Sequence, residues 1–520
     1  MPEPKQKLKI GDLKKVHKLY ALNSAEWRFL LAAYEGAKEL LRLGFLEKHE
    51  RESQDNYERR LKEAYGFSYS RSVVDLFNFY LFKEPVKREY GKLKDDKLFE
   101  LFLKDCNLYK DAWDDFLTNV DLYASVCGFM GLLIDKASVV FDNKQQQLEA
   151  EVYPYIAAYY PTAILDWDFD RDEYNRPFLA YLKLLDDDGQ YRLWWPDKFE
   201  IWEIPEDDPD EQDDQGEDKQ TEVDDEKNAT FIKGGVNPLG EIPFIWLYNL
   251  KHKKRPLGIS DIHDVARIDV SILRNLSQGE EVINWGAFPM LRMPLRETKP
   301  GVDGVAVPTK EAEVGEQAVL EFDPEHPESK PDWLDSAVAE PINSLLAWIA
   351  KKVGEIYRAV NAGGQSSMET STAVKSGATL KAEFQLLNAS LVKKAINLEQ
   401  AETETLRLWC KWEEREEDVK ETSVERARSY DVDDLTSALE NVLTSLVIVT
   451  SKKFNEAMQK QVVRDMMPAA DNDELKEIDD EIEESVETPV QGATEPTEED
   501  LEEEDERFQF NEEEEEEEEE

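Results

Sequence analysis

The stretch Asp261-Ile262-His263-Asp264-Val265-Ala266-Arg267-Ile268-Asp269-Val270-Ser271-Ile272 runs on without a breaker to Trp285. Ile262, Val265, Ile268, Ile272, Leu276 and Ile283 fall at three- and four-residue spacing, which is one stripe of an amphipathic helix. About 25 residues at ~1.5 Å each give a rod roughly 37 Å long. Pro289 and Pro294 end it. Ala287 to Val338 is rich in Pro, Gly and charge and reads as a small β-containing excursion. Pro341 to Asn361 is helical again, with Pro341 suited to the first helical position and Ile342, Leu345, Ile349, Val353, Ile356 and Val360 as its stripe. Gly363 and Gly364 stop it, and Gly364 to Lys375 is a Ser/Thr-rich loop. A long helix follows from Gly377 to Trp412, carrying Leu380, Phe384, Leu387, Leu391, Leu398, Leu406 and Trp409. Two shorter helices are expected near Asp434 to Leu446 and Ser451 to Met466.

Upstream of this series, Asn23 to Leu46 reads as an amphipathic helix through Trp27, Leu30, Leu31, Tyr34, Leu40 and Leu41. Further helices are expected over Asp55 to Tyr65, Arg71 to Phe82 (stopping before Pro85) and Asp111 to Phe129. From Gly128 to Tyr248 the texture is that of strands: Gly131 to Asp135, Tyr153 to Tyr160, Phe178 to Leu185, Tyr191 to Trp195, Phe199 to Ile204, Thr230 to Ile232 and Ile242 to Leu247. The acidic tract Glu206 to Lys227 is too polar to pack and is expected to be a disordered insertion that interrupts a β-hairpin. The fold class is therefore α+β.

The chain has 520 residues, and 41 % hydrophobic content is enough for a sizeable core. No run of about 18 apolar residues predicts a membrane span. Met1 to Lys9 has basic residues with no apolar run behind them, which argues against a secretory signal. Cys106, Cys127 and Cys410 are far apart and show no metal-type spacing, so a reduced, intracellular setting is expected. The net charge of -52 is uneven. Asp471 to Glu520 holds 28 acidic and 2 basic residues and ends in nine glutamates, and Glu206 to Lys227 holds 13 acidic and 2 basic. The body is only moderately acidic. Such a balance excludes a sequence-reading DNA binder with a basic face, but not a protein past which DNA slides.

Catalytic motifs are absent. There is no GxxxxGK[ST] loop, HExxH or GxSxG, so neither ATPase nor hydrolase chemistry is expected, and no cofactor. Asp166 to Glu173 looks like a calcium loop, but Arg171 stands where glycine is needed and Pro177 where a bidentate glutamate is needed. A strand edge with Asp on one face and Trp/Phe on the other is the better reading. His17, His49, His252, His263 and His326 are scattered and predict no shared metal. Lys251 to Arg255 is either a solvated turn or a phosphate or capsid contact.

Several of these features in their order resemble the portal proteins of tailed bacteriophages. Trp27, Gly36, Glu52, Tyr57, Arg60 and Leu61, then Phe82-Lys83-Glu84-Pro85, resemble the family's opening helices. Ile242-Pro243-Phe244 precedes Gly258-Ile259-Ser260-Asp261-Ile262, with Ser277 further along and Ala287-Phe288-Pro289 closing the helix. Ser376-Gly377-Ala378 heads the long helix, with Leu398-Glu399 and Ala401-Glu402 within it. The resemblance implies a wing over 1–257 with the acidic insertion 206–227, a first stem helix over 258–286 and a clip over 287–339. It further implies a second stem helix over 340–362, a tunnel loop over 363–376, a long helix and wing return over 377–431, a crown over 432–470 and an acidic, mostly disordered tail over 471–520.

By the same resemblance the chain forms a homo-oligomeric ring, dodecameric in capsids, at the vertex where double-stranded DNA passes in and out. Its implied partners are the terminase large subunit, major capsid and scaffold proteins and a tail adaptor, with assembly in the host cytoplasm and no membrane. Gln365, Ser366, Ser367, Thr370, Lys375 and Lys381 become candidates for the DNA tunnel, where ring symmetry would repeat each lysine as a band of positive charge. Arg267, Arg274, Lys351, Lys352 and Arg358 are stem candidates, and Arg296, Lys299, Lys310 and Trp333 are clip or motor-contact candidates. For the lysines the plain alternative is solvated helix ends, and for the stem cations pairing with acidic neighbours. Two rival functions stay open: an acidic nucleic-acid mimic or histone-type chaperone, and a carboxylate metal-dependent nuclease.

Overall fold

The computed structural model describes residues 8–50, 52–139, 141–205, 227–287, 290–292, 332–334, 339–359 and 377–430, with 460, 463, 476 and 478–482 further on. The chain divides into two units, Met1–Asp431 and Val432–Glu520. In the second unit the described residues are helical. All elements named below belong to the first.

Seven helices open the chain: α1 (Ile10–Lys14), α2 (Lys18–Glu35), α3 (Ala37–Arg42), α4 (Gln54–Glu63), α5 (Tyr69–Lys83), α6 (Lys97–Lys104) and α7 (Trp113–Cys127). The single helix expected over Asn23 to Leu46 is two. It starts five residues earlier, where His17 Nδ1 accepts from the Leu19 N–H, and it breaks at Gly36, whose φ of 104° lies where side chains are rarely tolerated. Ser53, Ser68 and Asp96 cap α4, α5 and α6 through their side-chain oxygens.

Strand β1 (Lys87–Glu89) lies between α5 and α6. After α7 come β2 (Phe129–Asp135), α8 (Lys144–Glu149), β3 (Tyr155–Tyr159), β4 (Ile164–Arg171), β5 (Pro177–Leu185), β6 (Tyr191–Trp194), β7 (Lys198–Glu203), β8 (Thr230–Val236) and β9 (Phe244–Tyr248). One antiparallel sheet has the order β3-β2-β9. Its central strand is buried along six of its seven residues and accordingly reads as an apolar run. The other sheet is the meander β4-β5-β6-β7-β8. The expected hairpin is present: β7 and β8 pair antiparallel, with Glu203 opposite Thr230 at the rung nearest the acidic tract. The Asp166 to Asp172 alternation forms β4 and the turn after it, with a bulge between Asp168 and Phe169, as the strand reading expected.

The tiny strands β10 (Leu250–Lys251) and β11 (Gly258–Ile259) pair across the basic turn and lead to α9 (Val265–Ala287). This helix starts four residues later than expected, because Asp261 and Ile262 belong to the turn that precedes it. Strands β12 (Met290–Arg292) and β13 (Asp332–Leu334) pair antiparallel and close the excursion. Next come α10 (Ala339–Ala359), α11 (Gly377–Trp412) and β14 (Ser423–Glu425), which returns to pair with β1. Pro341 stands third in α10 rather than first, still in the opening turn, where its missing N–H costs no helix bond.

One core joins α2, α5, α6, α7, the three-stranded sheet, α9 and α11. Ile262, Val265 and Ile272 of the first stripe are buried, as are Leu387, Leu391, Leu398, Leu406 and Trp409 of the long helix. From Leu387 onward the stripe of the long helix is spent inside the chain, where α11 packs on β9, α5 and β14. Half of the α10 stripe is likewise turned inward, since Ile356 is buried and Ile349 and Val353 pack on the core.

Candidate functional site

The junction where α9 leaves the core is built from charge. Lys394 of α11 donates to Asp261, in the turn before α9, and to Ser125 Oγ of α7 (3.3 Å), and its ammonium sits over the Phe77 ring. Asn249 bridges Asp261 Oδ1 (2.9 Å) and the Ile259 carbonyl (2.9 Å), and accepts from Ser125 (3.3 Å). Three helices and the β9 exit thus meet at one buried ion pair. Asp121, one turn before Ser125, is also buried, and its Oδ2 has no hydrogen-bond partner among the described residues. Burial pushes its carboxyl up to about 6, against the pull of Lys394 and Arg426.

A second knot lies beside it. Arg426 pairs with Glu402 of α11, and Glu402 also accepts from Arg88 Nε (2.8 Å), whose other end meets Asp114 (2.6 Å). Asp269, on α9, accepts from the Ser70 N–H (3.0 Å) and hydroxyl (2.9 Å), so it caps α5 from outside, and burial raises its carboxyl to about 6. Gly258 explains itself here. A Cβ at this position would lie 1.8 Å from the Gly128 carbonyl oxygen, so the end of α7 and the approach to α9 touch backbone to backbone. The sequence reading missed these groups. The available signal was a charge on an apolar stripe, as with Lys394 between Leu391 and Leu398.

The stem candidates are mostly engaged. Arg267 pairs with Glu26 (2.8 Å) and lies over Phe29. Arg274 donates to the Phe45 carbonyl (2.9 Å) and Glu47 (3.0 Å), and Arg358 pairs with Glu355 (2.8 Å). Lys352 donates to Ser271 Oγ (2.7 Å), and burial lowers its pKa. Lys351 lies over the Trp348 ring, as does Lys352. Lys381 is on the first turns of α11, and Trp333 is on β13 opposite Leu291. Gln365, Ser366, Ser367, Thr370, Lys375, Arg296, Lys299 and Lys310 lie outside the described residues, as do His326 and the two helices expected near 434–446 and 451–466, single residues apart.

Among the described residues no group of three or more His, Cys, Asp or Glu could hold a metal, and no helix is long and apolar enough to cross a membrane. His17 stacks on Trp167 with ring centroids 4.2 Å apart. The basic turn is solvated: Lys253, Lys254 and Arg255 are exposed, and His252 Nδ1 accepts from the Lys254 N–H. Cys106, Cys127 and Cys410 are buried and free.

No protein-family model matches the chain, and no curated protein sequence matches it. It is similar to chains in solved structures of gene transfer agent particles. One, from the virion of a native particle, matches over 83 % of this chain and 98 % of its own, at 9 % identity and a TM-score of 0.41. Another, from the neck of an empty particle computed with C6 symmetry, matches over 78 % and 94 %, at 9 % identity and 0.40. A third, from the neck of a native particle computed with C12 symmetry, matches over 79 % and 89 %, at 10 % identity and 0.36. With TM-scores below 0.5, the functional reading rests on the chain's own residues.

Proposed function

We propose that the chain is a subunit of a phage portal ring, a conduit for double-stranded DNA with no catalytic activity of its own. The observation that carries this reading is the series after the β-rich region. A long helix rooted in the core leads to an excursion closed by a β12–β13 pair, a second helix packs back on the first, and a 36-residue helix returns into the core. This is the order in which the sequence resembles portal proteins, with α9 and α10 as stem, the excursion as clip, 363–376 as tunnel loop, 432–470 as crown and 471–520 as acidic tail. The excursion would dock the terminase and later a tail adaptor, and other faces would meet capsid and scaffold proteins.

A conduit must hold DNA centrally and let it move both ways. Each phosphate neutralised adds affinity through counterion release, so a strongly basic wall would stall the duplex. A chain of net charge -52, whose stem arginines are already matched by Glu26, Glu47 and Glu355, suits weak contacts without register. Negative-stain microscopy of the purified protein tests the reading. Rings with a central hole are expected, and monomers or compact dimers at all concentrations would sink it.

A further inference from the structure

The helix pair α9–α10 has two unlike flanks. The helices run antiparallel, with Ser271 beside Lys352 and Gly279 beside Leu345. Ser271 and Glu280 are about two and a half turns apart on α9, so they lie on opposite sides of it. Trp348 and Leu346 are two residues apart on α10, roughly 200° of rotation, and they too point to opposite flanks.

The first flank is an open groove of about 330 Å³ lined by Arg267, Ser271, Trp348, Lys351, Lys352 and Glu355. Trp348 is 50 % exposed and carries both lysine ammoniums near its ring. Cations outnumber acids here. The second flank is apolar and acidic. Ile283 and Leu346 are 44 % and 56 % exposed, and beside α9 the loop after α4 presents Tyr65 and Phe67 at 46 % and 62 %. Tyr65 donates to Glu280 (2.9 Å), and Glu63 and Glu281 lie alongside, three carboxylates against Arg59 and Arg60, the latter already paired with Glu52.

We propose that these flanks are the two halves of one interface between copies of this chain, the Trp348 groove of one copy receiving the Tyr65–Phe67 face of the next. Resting on the ring reading, the inference specifies which surfaces close the ring. Different patches meeting head to tail make a heterologous contact, the kind that repeats around a rotation axis. The aromatic faces supply the buried area, and the lysines against Glu63 and Glu280 supply sign and register. Trp348 on the helix pair, and Tyr65 and Phe67 on the loop beside it, are each about half exposed, which fits this use better than a solvated surface.

Native mass spectrometry with charge reversal tests it. The wild-type protein should give rings, and a monomeric wild type would overturn the ring reading itself. Lys351→Glu with Lys352→Glu should reduce rings at least tenfold, and Glu63→Lys with Glu280→Lys should do the same, each leaving the circular dichroism of the folded chain in place. Combining all four should restore rings. Wild-type ring yield from either pair alone, or no recovery in the quadruple variant, would overturn the interface. A fold-independent arm uses Trp348→Cys with Tyr65→Cys, since the three native cysteines are buried. Oxidised rings should run as a disulfide-linked ladder on a non-reducing gel, and unlinked monomers from intact rings would overturn the pairing.

Discussion

Asp261 and Lys394, 133 residues apart in the chain, form a buried ion pair whose side chains are 5 % and 1 % exposed. Removing one partner strands the other charge in the core. Lys394→Met is expected to destabilise the chain by about 3–5 kcal/mol, because an unpaired buried charge costs more than the pair returns. Lys394→Met with Asp261→Asn should recover most of the loss. Thermal unfolding of the two variants beside the wild type checks this, and equal melting temperatures for all three would remove the pair from the account.

Stability should respond to pH through carboxyls of opposite behaviour. Asp121 and Asp269 have folded pKa values near 6, above the unfolded value of 3.8. The folded state therefore holds their protons more tightly, and their contribution to stability falls as pH rises from about 4 through 6. Asp121→Asn should make the protein more stable than wild type at pH 7, by roughly 1–3 kcal/mol, and equal to it near pH 4. Glu52 runs the other way. Its hydrogen bond to Arg60 holds it down to about 2, so its contribution is full above the unfolded value of 4.5 and is lost as pH falls toward 2. Glu52→Gln should therefore cost stability at pH 7 and little at pH 2. Denaturant midpoints across this range read both signs.

Deleting Ser366 to Ser371 should leave rings assembled and impair DNA packaging or retention. The stretch is small and polar, begins after two glycines and joins two helices, so it has little to bury. Normal packaging by the deletion variant would make it a plain connector.

Truncation after Asp471 removes nearly all of 28 acidic and 2 basic residues. With a dozen copies, as the portal resemblance implies, about 300 charges leave the ring. Because screening confines their reach to about 8 Å at physiological salt, the effect should appear at low salt. Truncated rings should then bind DNA more tightly than full-length ones, and equal binding would leave the tail as a solubilising segment.

The helices α5, α7 and α11 were legible because their Leu, Val, Phe and Trp spacing is local information. The β7–β8 hairpin was legible for the same reason, since turn-rich acidic sequence separates two aromatic runs. The break at Gly36 was not, because a lone glycine in a helical pattern costs only about 1 kcal/mol and is usually passed over. The junction was not legible either. Asp261 reads as a helix-start acid until Lys394 arrives from 133 residues away, and no periodicity encodes that meeting. The tunnel and clip candidates were named from the resemblance alone, and most of them fall outside the described residues.

Glu203 and Thr230 face each other across one ladder rung. The sheet therefore sees only two neighbouring chain ends, whatever length of polypeptide joins them, and the closure penalty grows by only about 0.6 kcal/mol for each doubling of that length. This makes the site a graft position. A reporter domain spliced in place of 206–226 would ride once on every copy of the protein, and its stoichiometry would count the copies in an assembled particle directly.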